Sequence, residues 1–190
     1  MRIIAGEFRS RRLKSIPGSA TRPTPDRLRE TLFDILSPRI ALATFVDAYA
    51  GTGAVGLEAV SRGAAHVFLL ERNRAALSAI QENVASLGVE ARTTVVAGQV
   101  LLNLARLAAS IYFLDPPYDN EREYRAALEL LGESGAPLVI AQHSIRRPLL
   151  TGYGKLRLTR TVRQGENQLS FYAAAEVGGS GAEGDGSGVS

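Results

Sequence analysis

Residues 113–118 read FLDPPY, an apolar run that ends in the carboxylate of Asp115, the rings of Pro116 and Pro117 and the phenol of Tyr118. Consecutive prolines remove two backbone donors and hold φ near about −65°. Carbonyls and a carboxylate can then point together into a cleft as a rigid set of acceptors. An exocyclic amine on a nucleobase needs such a set, because its lone pair is drawn into the ring until its protons are held and the nitrogen moves toward tetrahedral geometry. Asp115 and the Pro116 carbonyl are suited to that task, and Tyr118 offers a flat face on which an extruded base can stack. The competing reading is a proline-stiffened turn after a strand.

A second constellation lies upstream. AGTGAVG contains G-x-G-x-x-G at Gly51, Gly53 and Gly56. Glycine belongs where the backbone must turn sharply and let a ligand lie against main-chain N–H groups at a helix N-terminus. Glu71 follows Gly51 by twenty residues, at the end of the next apolar run, where a carboxylate can accept the ribose hydroxyls of an adenosine. Together these residues predict a nucleoside cofactor at the carboxyl edge of a sheet. They leave NAD and S-adenosylmethionine both open, and the glycine pattern alone favours the dinucleotide. Asp47 tips the balance: out of place beside a pyrophosphate, it suits a loop ordered around a cationic sulfonium. Capping the loop's own N–H groups is an equally good reading of the same carboxylate.

Both constellations need strands that end on one edge. TFVDAYA (44–50), HVFLLER (66–72), ARTTVVAG, SIYFLD and PLVIAQHS read as strands, apolar without alternation and so buried on both faces. Between them fall helical stretches: AVGLEAVSRG, closed by Gly63; 73–88, with Ala76, Ile80, Val84 and Leu87 on one face and Gly88 as its stop; 99–108; and 121–131. The order is that of a parallel α/β sheet covered on each side. KLRLTRTV and QLSFYAAA around RQGEN predict a final antiparallel hairpin. At the front, RIIAGEFRSRRL reads as a small hairpin turning near Gly6, followed by a helix carrying Leu28, Leu32, Phe33, Ile35 and Leu36. We divide the chain into a basic hairpin extension (1–20), a main domain (21–175) and a glycine-rich tail (176–190) with almost nothing to bury and an expectation of disorder.

Composition narrows the function classes. A chain of 190 residues, 45% hydrophobic, supports one core. It has no run of the roughly 20 apolar residues a membrane span requires and no secretory h-region, which predicts a cytoplasmic protein. Without cysteine and with only His66 and His143, no metal site is expected; those histidines read as a strand-edge and a cleft-rim residue without chemistry. The net charge of +3 is unevenly placed: residues 1–30 hold eight basic side chains against three acidic ones, and a second cationic stretch runs from Arg146 to Arg163. Such segments suit a polyanion.

On these residues the chain resembles the class I S-adenosylmethionine-dependent amino-methyltransferases of the D-P-P-Y type. More narrowly, RIIAGEFRSRRL, TRPTPDRLRETLFDIL, VDAYAGTGAVGLEAVSRGAAHVFLLER and FLDPPY resemble the RsmD family of bacterial methyltransferases, which modify a guanine N2 of 16S ribosomal RNA. The resemblance implies a Rossmann-like fold, with a mostly parallel seven-stranded sheet and a C-terminal antiparallel hairpin. It implies S-adenosylmethionine held by Gly51, Gly53, Gly56, Glu71 and Arg72, with Asp47 supporting the loop and Asp115 at the methyl. The 21–24 segment would close over the site, with Arg22 on the cofactor carboxylate. Asp115, Pro116, Pro117 and Tyr118 would receive the guanine. Arg9, Arg11, Arg12 and Lys14, joined by Arg146 and Arg147, would hold RNA phosphates. The partner would be ribosomal RNA or the small ribosomal subunit, and the protein a monomer without metal. Two positions depart from the family: Gln99 stands where an Asp or Asn usually takes the adenine amine, and Gln142 stands near a frequent glutamate. The nearest rivals are a DNA adenine-N6 methyltransferase, a nicotinamide-dependent oxidoreductase on the same glycine loop, and an RNA-binding protein without catalysis.

Overall fold

A computed structural model of the chain describes residues 1–16, 26–117 and 120–175. Five strands, β1 (Thr44–Asp47), β2 (His66–Glu71), β3 (Thr93–Ala97), β4 (Ile111–Leu114) and β5 (Leu138–Ser144), run parallel in the order β3-β2-β1-β4-β5. Three more, β6 (Gly152–Tyr153), β7 (Leu156–Gln164) and β8 (Asn167–Ala174), continue the sheet antiparallel in the order β5-β8-β7-β6. The sheet therefore has eight strands where the resemblance implies seven. The extra one, β6, is two residues long, too short to leave a periodic signal in the sequence. The final hairpin has a tighter turn than its sequence suggested, because the ladder runs on to the pair Gln164–Asn167 and Gly165, at φ 60°, helps close it.

The lack of alternation has the expected cause in the central strands but not at the sheet edge, where only Thr93 of β3 is buried. Every residue of β4 is buried, and β5 is buried from Leu138 to His143. One apolar layer packs β-strand residues such as Phe45, Phe113 and Ile140 beneath α1 (Asp26–Ile40), α2 (Ala54–Ser61) and α3 (Arg74–Leu87). The other packs Val46, Leu114 and Val139 beneath α4 (Val100–Leu104) and α5 (Glu121–Ser134). Helix α2 is buried on all sides, and α3 is bounded by two caps, of which Gly88 was read from its sequence. Asn73 Oδ1 accepts from the Ala75 and Ala76 N–H groups, and Gly88 ends the helix in the left-handed region at φ 68°. Helix α4 is much shorter than the 99–108 expected. Beyond it the Tyr112 hydroxyl accepts from the Ala109 N–H and donates to the Leu107 carbonyl, fixing the chain as a loop. Helix α5 runs past 131 to Ser134 and stops at Gly135.

The N-terminal hairpin forms as a short bridge between Arg2 and Arg12, flanked by the Ile3 N–H on the Arg11 carbonyl, the Ser10 N–H on the Ile3 carbonyl and the Leu13 N–H on the Met1 carbonyl, each at 3.0 Å. What holds this segment is its docking on α2. Glu58, fully buried, accepts the Ile4 N–H at 2.7 Å and the Ala5 N–H at 3.0 Å, takes the Arg62 Nε at 2.8 Å, and faces the equally buried Arg29 at 3.9 Å. Arg29 Nη2 in turn donates to the Arg2 carbonyl at 2.6 Å. Gly6 lies so close to the end of α2 that a Cβ there would stand 1.9 Å from the Ser61 carbonyl oxygen. The tail from 176 onward lies outside the described residues. Among the described residues no helix is long and apolar enough to cross a membrane.

Removing the Glu58 carboxylate would leave the buried Arg29 guanidinium with only the exposed Asp26 as counter-charge among the described residues, and two backbone donors without a partner. Glu58→Ala should therefore lower stability by about 3 kcal/mol in urea unfolding. Hydrogen exchange should show the Ile4 and Ala5 amides losing their protection first.

Candidate functional site

Strand β1 pairs with β2 on one side and β4 on the other, and the chain leaves β1 toward β2 but leaves β4 toward β5. That divergence opens a crevice at the carboxyl edge between β1 and β4. The glycine loop occupies it. Past Asp47 the chain stays tied to both neighbours, with the Ala48 N–H on the Phe113 carbonyl and the Ala50 N–H on the Leu70 carbonyl, each at 2.9 Å. The Gly53 N–H then closes the turn on the Ala50 carbonyl at 2.7 Å. Gly51 and Gly53 sit in the left-handed region, at φ 57° and 82°. A Cβ on Gly51 would meet nothing within 4 Å, so the loop is open on that side to a ligand. Gly56 serves packing: its Cβ would lie 2.4 Å from Leu69 Cδ2, so its absence lets α2 settle onto β2.

Glu71 ends β2 and is shaped by backbone donors. One carboxylate oxygen accepts the Gly51 N–H at 2.9 Å, and the other accepts those of Arg72 and Asn73 at 2.8 Å each. Three of about four lone-pair positions are thus taken. The carboxylate is fixed to the glycine loop, and capturing both ribose hydroxyls requires it to share or release the Gly51 N–H. Asp47, fully buried, accepts the Gly56 N–H at 2.9 Å in the first turn of α2. Of its two readings, this is the geometry of a loop-and-helix cap. Burial pushes the Asp47 carboxyl up to about 7; the Gly56 bond pulls it back, and the nearby Glu71 charge adds to the rise.

Asp115 and Pro116 leave β4 on the same edge. Glu71 and Asp115 belong to strands two apart, or roughly 10 Å at the usual spacing. Asp115 is half-buried, Pro116 buried and Pro117 exposed. The hydroxyl of Tyr124, in the first turn of α5, holds this loop to β5: it donates to the Gln142 carbonyl at 2.6 Å and lies 3.3 Å from the Pro116 carbonyl. Its one hydrogen is committed to the shorter contact, which leaves the Pro116 oxygen free capacity as an acceptor. Tyr49, within the stretch after β1, donates to Glu123 at 3.0 Å and ties the glycine loop to α5. Burial, followed by the Glu123 charge, raises the Tyr49 phenol well above its ordinary range. Neither tyrosine was singled out from the sequence; an aromatic one turn into the helix after D-P-P-Y was the available signal.

The remaining predicted residues fall in several places. Arg72 and Gln99 are exposed at the ends of β2 and β3, and Gln99 stands at the N-terminus of α4 with no side-chain cap bond. Arg22 and Tyr118 lie outside the described residues. Lys14 reaches the glycine loop through the buried Asn83, which accepts the Lys14 N–H at 2.7 Å and donates to the Thr52 carbonyl at 3.0 Å; the Lys14 ammonium pairs with Glu82. Arg11, by contrast, donates to the Ser86 carbonyl in the last turn of α3, and Arg9 is exposed near the end of α2. Arg12 is exposed beside Arg2, while Arg146 and Arg147 follow β5 at the carboxyl edge, paired with Glu166 and Glu121 at 2.5 and 3.7 Å. The basic residues are therefore not one patch. His66 contacts Thr94, as an edge residue would; His143 is buried against Ser170 and belongs to the floor of a cavity rather than its rim.

A parallel sheet with this order, a glycine loop after β1, an acidic residue ending β2 and an acceptor loop after β4 define a class I methyltransferase. The chain belongs to the family described as Conserved hypothetical protein 95, the RsmD family, whose model matches residues 1–173. "Ribosomal RNA small subunit methyltransferase D" of Escherichia coli strain K12 is 36% identical over 185 residues, which is 88% of this chain and 93% of that one. A solved Escherichia coli structure provisionally named a methyltransferase is 34% identical, with a TM-score of 0.81 over 92% of this chain and 97% of the other. A Thermus thermophilus protein described as hypothetical is also 34% identical, with a TM-score of 0.75 over 90% and 98%.

The raised Asp47 value has a sign. Between its unfolded value of 3.8 and about 7, the folded state holds a proton that the unfolded chain has lost, so the contribution of Asp47 to stability declines as pH rises through that window. Asp47→Asn keeps an acceptor for Gly56 without the titration. It should gain on the wild type by up to about 1.4 kcal/mol per pH unit across the window, measured by urea unfolding at stepped pH. Parallel stability curves would mean that Asp47 is ionised throughout.

Proposed function

We propose that the protein transfers a methyl group from S-adenosylmethionine to the exocyclic N2 amine of a guanine in 16S ribosomal RNA. The observation that carries this reading is the presence of two acceptor groups, Asp115 and the Pro116 carbonyl, one strand from the glycine loop on a single sheet edge. The relative named for the small ribosomal subunit, sharing 36% of its residues with this chain, supports the choice of RNA.

The residues fit the cofactor. Open space above Gly51, the N-terminus of α2 and the fixed Glu71 carboxylate make a nucleoside cradle. Glu71 takes the ribose with Arg72 next to it in the chain, Gln99 offers an amide oxygen to the adenine amine, and Arg22 is the proposed partner of the cofactor carboxylate. When bound, S-adenosylmethionine supplies an electrophilic methyl on a cationic sulfur. A cation in the crevice favours the ionised form of Asp47, which is otherwise poised near neutrality. Asp115 and Pro116 accept the two N–H bonds of the guanine amine and turn its lone pair toward the methyl. Tyr118 stacks on the base, and Pro117 stiffens the loop. After transfer, the proton leaves to Asp115 or to water. Alignment of two bound reactants can supply about 7 to 11 kcal/mol of barrier reduction, so no covalent intermediate with the protein is needed. The protein works as a cytoplasmic monomer on ribosomal RNA or the small subunit. Lys14, Arg146 and Arg147 hold phosphates nearest the crevice, and Arg9, Arg11 and Arg12 hold them elsewhere on the surface.

Nucleoside mass spectrometry of 16S RNA from a strain lacking the protein should show one N2-methylguanosine missing, and its persistence would overturn the reading. Asp115→Ala should lower kcat by about 10²-fold or more while S-adenosylhomocysteine binding in titration calorimetry stays within about twofold. Loss of both together would mark the carboxylate as structural. Exchanging Arg146 and Arg147 for alanine should reduce the salt slope of RNA binding by about 1 to 2, more than the same exchange at Arg9 and Arg11.

A further inference from the structure

Gln142 in β5 has a fully enclosed side chain, and among the described residues neither its Nε2 nor its Oε1 has a hydrogen-bond partner. Each orphaned polar atom of this kind costs about 1–3 kcal/mol, and a leucine in the same space would carry no such cost. The fold therefore keeps a carboxamide that its own packing does not use.

The position of that amide points to a use. In the β4–β5 ladder Phe113 pairs with Ile140 and Leu114 with Ala141; Asp115 and Gln142 are the residues that follow this last pair, Asp115 just beyond the end of β4. Gln142 stands opposite Leu169 in the β5–β8 ladder, and Leu169, Ile140 and Phe113 all belong to the layer beneath α1 to α3. Two-residue alternation places Asp115 and Gln142 on that same face. Their backbones are also tied together, since the Tyr124 hydroxyl spans the Gln142 and Pro116 carbonyls. Along the carboxyl edge the order is Glu71, glycine loop, Asp115, Gln142.

This inference rests on the proposed guanine reading. With the methyl donor over β1 and β2 and the N2 amine at Asp115 and Pro116, the rest of the base's hydrogen-bonding edge runs toward β5. That edge presents N1–H, a donor, and then O6, an acceptor. A carboxamide is its complement. We propose that Gln142 is a specificity-determining residue: its Oε1 accepts from guanine N1–H, and its Nε2 donates to O6.

The test pairs a variant with a changed base. Small-subunit RNA carrying either guanine or 2-aminopurine at the modified position keeps the reacting amine in both cases, but 2-aminopurine lacks both N1–H and O6. The wild type should prefer guanine in kcat/KM by about 10-fold or more, and Gln142→Leu should lose most of that preference through its slower reaction with guanine. The variant should bind S-adenosylhomocysteine as the wild type does and unfold at equal or higher urea concentration. Gln142→Met provides the same comparison should leucine impair folding. An unchanged guanine preference in the variants, beside a normally active wild type, would overturn the role of Gln142 alone. A variant that loses cofactor binding and stability together would make the amide structural and overturn it as well. A wild type that transfers no methyl to guanine RNA would overturn the proposed function itself.

Discussion

Parallel pairing of β1 with β2 on one side and β4 on the other is the constraint on which the site depends. Parallel strands in register end at one level, so whatever follows each of them emerges on one edge of the sheet. The glycine loop follows β1, Glu71 closes β2, and Asp115 follows β4; their proximity is a property of the ladder before it is a property of their side chains. The loop bonds of Ala48 and Ala50 to β4 and β2 carry that register three residues beyond the strand itself. A one-residue slip of β4 would turn Asp115 to the opposite face and bring Leu114 into the crevice.

Around this edge the molecule uses polar groups as ties between segments far apart in sequence. Tyr49 joins the glycine loop to α5, Tyr124 joins the acceptor loop to β5, and Asn83 joins the N-terminal segment to the glycine loop. Each tie spans one wall of the crevice to the next. Glu71 works inward in the same way, fixing the loop it closes. The walls are thus set before any ligand arrives, which is what a reaction governed by alignment requires.

Much of this was legible in the chain. Glycine spacing, the acidic residue twenty positions on and the proline pair each have a local backbone reason and so leave a local signature. The Gly88 stop was readable for the same cause. Residues whose meaning depends on distant partners were not. Glu58 and Arg29 look like ordinary surface charges of amphipathic helices until α1, α2 and the N-terminal segment come together around them. Helix α4 falls short because Tyr112, on the following strand, captures the chain after it. Gln142 could be seen as a departure from its family, but its solitude only appears once both faces of β5 are covered. The reading of Glu71 was incomplete, since sequence could place the carboxylate but not the three amides that claim it.

The anchorage of the first sixteen residues bears on how the chain is made. They leave the ribosome before their partners, since Glu58, Ser61, Asn83 and Ser86, to which they bond, lie 53 to 75 positions later. At the usual pace of translation the opening segment waits roughly 4 to 15 s for the last of these partners to be synthesised. A segment made ahead of everything that anchors it is therefore among the last to find its place.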